Sequence, residues 1–207
     1  ELSFFRSMYV MDMAPPKTAK AHAAIIKRRW ADYSMDGGLA TYVVIDARQY
    51  GQSVVEALHE DLGDGLPPLC TTTHEEPYNA LEREGAVPCI YPIQATGNSG
   101  RDPNSEMLDY IEREFENGNF QLLTANLDEG MTAYKLKHGI KDDLENAKIQ
   151  FPYLKTRELC RQVANLRKKY VSTGYIEAPI VERIPKDMWS ATLYAARFAQ
   201  RMEKERL

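Results

Sequence analysis

Two aspartates sit where a carboxylate could meet a ligand. Asp46 closes the apolar run TYVVID, residues 41–46, and is followed by the turn Ala47-Arg48-Gln49-Tyr50-Gly51. In open α/β sheets, ligands gather beyond the carboxyl ends of the strands, so a carboxylate there is well placed to act. The plainer alternative is that Asp46 only caps the turn it opens. Asp187 lies in IPKDMWSATLYAARFAQ, residues 184–200, where Pro185 presets the backbone of a first helical turn and the helix dipole favours a negative charge. Held on that helix, Asp187 is either a functional carboxylate or a surface charge matched to the dipole.

Other chemistries lack their parts. The turn after Asp46 has one glycine and no following lysine, so neither a G-x-G-x-x-G dinucleotide loop nor a G-x-x-x-x-G-K-[ST] phosphate loop is present there. His22, His59, His74 and His138 show no H-x-x-x-H or H-E-x-x-H spacing, and the chain has no G-x-S-x-G nucleophile turn. Cys70, Cys89 and Cys160 are odd in number and lack C-x-x-C spacing, which removes the usual zinc and redox pairs and fits buried, reduced thiols of a cytoplasmic protein. Basic residues gather as Lys135, Lys137, His138 and Lys141, and as Arg161, Arg167, Lys168 and Lys169. Each group is either a solvated face or a track for phosphates.

The elements that would position the two aspartates follow from periodicity. Residues 4–11 read as a strand stopped by Pro15 and Pro16, and residues 18–33 as a helix with Ala21, Ala24, Ile25 and Trp30 on one side and Lys20, Lys27 and Arg28 on others. TYVVID is a short strand of the type buried on both faces, followed by an amphipathic helix over 53–62 that ends at GDGLPP. The stretch to about Pro88 reads as loop with a short helix, 87–93 as a strand, 95–105 as a turn-rich loop, and 107–118 as a helix capped by Ser105 and stopped by Gly118.

Beyond it, residues 119–125 read as extended and 131–151 are ambiguous. Residues 156–171 read as a helix turning Leu159, Val163 and Leu166 inward, and 174–184 as extended or hairpin structure. The last element, 185–205, is a long helix burying Leu193, Ala195, Phe198 and Met202. Strands alternating with helices predict an α/β fold, and no repeat or linker divides the chain, so one domain over 1–207 is the simplest count.

Composition limits what such a fold can do. With 207 residues and 43% apolar side chains the chain can bury a real core, and a formal charge of −4 with 27% charged residues excludes nucleic-acid binding by a general basic coat. No segment approaches the ~20 apolar residues of a membrane span. The start, ELSFFRSMYVMDM, lacks a basic flank and a cleavage site, and it begins with Glu1 rather than methionine, as a fragment of a longer protein would.

Taken in order, KAHAAIIKRRWADY, YVVIDARQYGQSVVEAL, PYLKTRELCRQVANL and IPKDMWSATLYAARFAQRME resemble the nuclease domain of a tailed-bacteriophage terminase large subunit, with D-A-R-x-x-G and K-D-x-x-S-A as the specific pair. The resemblance implies a ribonuclease H-like fold, a mixed central sheet flanked by helices. It implies a DNA endonuclease that cuts concatemeric double-stranded viral DNA with two Mg²⁺ or Mn²⁺ ions during genome packaging, in the cytoplasm of a host cell. By position, Asp46 is similar to the carboxylate on an inner strand of that family's metal site and Asp187 to the one on its final helix. The implied partners are the terminase small subunit, the portal and an ATPase motor domain of the same polypeptide, with no membrane.

This sequence departs from the family in two places. The family's first carboxylate lies on a first strand that precedes two more strands, whereas FFRSMYVMDM stands directly before the first helix here. The resemblance therefore implies a domain incomplete at its N-terminus, with Asp12 a poor substitute for the missing carboxylate. Met188 also stands where the family often carries arginine. Two other readings remain open: another ribonuclease H-like nuclease, such as a resolvase or ribonuclease, and a non-catalytic module that docks on DNA or a portal.

Overall fold

The computed structural model describes residues 18–35, 38, 40–72, 84–93, 103–120, 122–123, 129, 132, 135–137, 139, 143–172 and 174–206. The strand expected over 4–11, Asp12, His74, His138 and Lys141 lie outside the described residues. The fold is mixed α/β, and the chain divides into two compact units, Glu1–Asn98 with Tyr194–Leu207, and Ser99–Leu193.

The first unit opens with helix α1, Ala19–Ser34. Thr18 caps it in extended backbone, its Oγ1 accepting from Ala21 N at 3.2 Å, a contact worth about 1 kcal/mol. Its buried stripe is Ala23, Lys27, Trp30 and Ala31, one face at helical spacing. The sequence places Lys27 on a polar side, yet its side chain is fully buried. The Nζ of Lys27 reaches Asp64 Oδ1 at 3.3 Å and the Leu66 carbonyl at 3.2 Å, so a partner on another segment satisfies the charge that periodicity assigned to water.

Strand β1, Val43–Asp46, leads into helix α2, Tyr50–Leu58, and then to β2, Leu69–Thr71, and β3, Val87–Ile93. The three strands run parallel in the order β1-β3-β2, with Val43 opposite Ile90 and Asp46 opposite Ile93. Helices α1 and α2 pack together, and the core gathers Ala23, Trp30, Val55, Leu58, Leu69 and Ile90. β1 is at one side of this sheet and only half-buried, rather than covered on both faces as its unbroken apolar run suggests. β2 falls in a stretch expected to be loop and short helix. Its LCT core is too short for a periodic signal and is defined by pairing with β3.

In the second unit, helix α3, Pro103–Glu116, starts two residues before Ser105, which lies inside the first turn and is fully buried. Its end matches the expected glycine stop: Gly118 sits at φ 71° and Asn119 N returns to Glu114 O at 2.9 Å. Helix α4 runs from Asp143 to Ala164 and yields at Asn165 to strand β4, Leu166–Val171. β4 pairs antiparallel with β5, Gly174–Pro179, so the last six residues of the expected 156–171 helix are a hairpin arm instead. Leu159 is buried as expected, whereas Val163 is 39% exposed.

Helix α5, Asp187–Arg206, is the final element. It buries Leu193 and Phe198 as expected, while Ala195 and Met202 are only half-buried; Tyr194, Ala196 and Ala199 complete its apolar side.

Candidate active site at the carboxyl end of β1

Asp46 is the last residue of β1, where the strand must stop because the next residues turn into α2. Ala47 is fully buried, and its N–H still bonds across to Ile93 O at 2.9 Å, which fixes the strand end against β3. Gln49 then adopts φ 47° and ψ −111°, the one positive φ of a non-glycine residue among the described residues, and provides no side-chain cap to α2. Such backbone costs on the order of 1–3 kcal/mol and persists where the surroundings over-determine it. Here one of those surroundings is Gly51: a Cβ at that position would come within 1.7 Å of the Asp46 carbonyl oxygen. Only glycine lets the helix start fold back this closely on the strand.

The carboxylate of Asp46 is enclosed by its own turn. Oδ1 accepts from the Arg48 backbone N–H at 3.2 Å and from Arg48 Nε at 2.8 Å; Oδ2 accepts from Arg48 Nη2 at 2.5 Å and from the Tyr194 hydroxyl at 3.3 Å. Arg48 Nη2 also donates to the Tyr194 oxygen at 3.1 Å. This is a bidentate fork closed by a buried phenol, and it fills about four lone-pair directions of the carboxylate. Partial burial pushes the Asp46 carboxyl up, but the Arg48 hydrogen bonds and charge outweigh it and hold the group below the usual carboxylate range. The same hydrogen bond raises the Arg48 guanidinium further, and burial together with the Asp46 charge raises the Tyr194 phenol.

Asp187 belongs to the second unit and is exposed at the first position of α5. Lys186 O accepts the first helical bond, from Ser190 N at 2.9 Å, so Pro185 and Lys186 lie just outside the helix rather than in its first turn. The next two donors are taken by a side chain of α4: Gln162, only 3% exposed, brings Oε1 to Met188 N at 3.1 Å and Trp189 N at 3.3 Å. Met188 is buried in this unit, so no phosphate contact comes from that position. Trp189 Nε1 donates to Glu177 Oε1 on β5, and burial pushes the Glu177 carboxyl up.

The second basic group is not one track. Arg161 is forked onto Glu158 at 3.0 and 2.9 Å, and Lys168 bonds Glu112 at 2.7 Å. Arg167 and Lys169 alternate with Lys168 along β4 and are exposed. Of the first group, Lys135 and Lys137 are described and stand on a short helical stretch.

Asp46 in the first unit and Asp187 in the second each carry a carboxylate, the ligand type that Mg²⁺ and Mn²⁺ prefer, but both oxygens of Asp46 are already engaged by Arg48 and Tyr194. No group of three His, Cys, Asp or Glu side chains suited to a metal gathers among the described residues. The sequence marks the strand end at Asp46 and its turn, but carries no local sign of the bonds made by Tyr194, Gln162 and Glu177, which join different elements. No protein-family model matches the chain, and comparisons with curated proteins and with solved structures likewise find no match.

Proposed function

We propose that this chain is a ribonuclease H-like nuclease domain of the terminase type, a metal-dependent endonuclease on double-stranded DNA, with Asp46 and Asp187 as its metal carboxylates. The observation that carries this reading is the ionised Asp46 at the carboxyl end of a parallel strand, about one-third exposed and held below the usual carboxylate range. Two Mg²⁺ or Mn²⁺ ions, when bound, would activate a water and stabilise the leaving alkoxide of a phosphodiester. The chain's own residues do the rest: Ala47 and Gly51 fix the strand end, Tyr194 orients Asp46, and Arg48 supplies positive charge beside it. Arg167 and Lys169 offer exposed cations for the DNA backbone.

The test is nicking of a supercoiled plasmid in Mn²⁺, beside an RNA–DNA hybrid. Plasmid cleavage lost in both Asp46→Asn and Asp187→Asn supports the reading; cleavage of the hybrid alone would favour a ribonuclease and sink it.

A second reading, a non-catalytic module that docks on DNA or a portal, draws on the full set of hydrogen bonds already made by Asp46. It predicts no nicking, with DNA retention unchanged by Asp46→Asn.

A further inference from the structure

A lysine on the hairpin stands between two carboxylates. Lys168 on β4 and Glu177 on β5 are cross-strand partners. At the base of the ladder Ile180 N bonds Asn165 O, and backbone-bonded pairs alternate from there, so Lys168 and Glu177 form a non-hydrogen-bonded pair with Cα atoms about 4.5 Å apart and side chains on one face. Yet Lys168 Nζ crosses to Glu112 Oε2 on α3 at 2.7 Å, while Glu177 takes the indole N–H of Trp189.

The two carboxylates differ in how well they do without an ammonium. The Glu112 side chain is 45% exposed, so water replaces Lys168 there at little loss. Glu177 is half-buried, and burial pushes its carboxyl up; the Trp189 bond and the Lys186 and Lys168 charges oppose that rise, and the Glu112 charge adds to it. An ionised Glu177 therefore gains more from Lys168 than Glu112 loses.

We propose that Glu177 is a proton-operated catch within the second unit: protonated, it leaves Lys168 on Glu112 and β4 tied to α3; ionised, it draws Lys168 across the hairpin and opens that tie. The inference is independent of the metal reading of Asp46 and Asp187. The Lys168 side chain is 40% exposed and swings through solvent, so no packed group has to move. Trp189 donates to Glu177 in either state, because the neutral acid still offers a carbonyl oxygen, and the acid stays in place while the ammonium moves.

The test is an NMR titration of the 207-residue chain from about pH 4 to about pH 8. It follows the Glu177 carboxyl carbon and the nuclear Overhauser contact between the Lys168 ε-protons and the Glu112 γ-protons. That contact should be lost as pH rises through the Glu177 inflection. Glu177→Gln, neutral at every pH, should keep the contact to the top of the range. Lys168→Gln should move the Glu177 inflection to higher pH, since the counter-ion of the ionised form is gone.

A Lys168–Glu112 contact that persists above the inflection, or fades equally in Glu177→Gln, overturns the catch. So does a Glu177 inflection unmoved by Lys168→Gln. Circular dichroism checks that each variant is folded; where one is not, the wild-type contact alone decides.

Discussion

The Tyr194 hydroxyl touches both members of the Asp46–Arg48 pair, donating to Asp46 Oδ2 at 3.3 Å and accepting from Arg48 Nη2 at 3.1 Å. Tyr194→Phe keeps the buried ring and removes only those two bonds. A loss of about 1 kcal/mol in urea unfolding is expected, the net worth of a partly buried hydrogen bond. Carbon-detected NMR titration of the Asp46 carboxyl should show its pKa rise, because a bond to the ionised form is gone.

Asp46 and Glu177 should give opposite pH dependences. Asp46 is depressed in the folded state by Arg48, so its contribution to stability is present above the ordinary carboxylate pKa and is lost as pH falls through the lowered folded value. Asp46→Asn should therefore differ from wild type at neutral pH and converge with it in acid. Glu177 is raised by burial, so stability falls as pH rises from the ordinary value through the folded one. Glu177→Gln, which can still accept from Trp189, should unfold at higher urea than wild type at pH 7 and lose that advantage near pH 4. Urea midpoints measured across this range check both.

Two glycine substitutions at one turn should have opposite signs. Gln49→Gly relieves the φ 47° backbone and should stabilise by about 1 kcal/mol. Gly51→Ala drives a Cβ into the Asp46 carbonyl and should cost about 3 kcal/mol or more, since the neighbour is backbone and cannot rotate away. Thermal melts of the two variants decide it.

Gln162→Ala should uncouple the start of α5. The side chain serves two buried helix N–H groups, and its loss should cost about 2 kcal/mol. Faster hydrogen exchange at Met188 and Trp189, with α3 unaffected, would distinguish this local release from general unfolding.

The sequence identifies elements whose signal is local. β3 follows its expected bounds, and α1 and α5 occupy their expected stretches, where apolar spacing follows Thr18 in one and Pro185 in the other; α2 instead runs Tyr50–Leu58, starting three residues before the expected 53–62 and stopping four short of it. The hairpin β4–β5 has no such local mark. LRKKYV continues the helical spacing of Leu159 and Val163, but six cross-strand pairs with GYIEAP and the Asn165 turn outweigh that propensity. Asn165 exchanges two side-chain bonds with Val181, at 3.1 and 2.9 Å, and accepts from Ile180 N at 2.7 Å, closing the hairpin base after α4 stops. At the candidate site, Asp46 was legible from its strand end. Its dependence on Tyr194, 148 positions away, was not, since nothing in a helical Tyr marks the carboxylate it will meet.

Lys27 carries a consequence for the segment between α2 and β2. That segment, EDLGDGLPP, has the composition of a tether, yet Lys27 grips it at Asp64 and Leu66 while Asp61 Oδ1 and Asp64 Oδ1 take the Gly63 and Leu66 amides at 2.9 and 3.1 Å. A single ammonium inside α1 thus acts as a rivet through a surface loop. Proteases that favour glycine-rich connections should spare this one, and cutting should begin there only after α1 has let go.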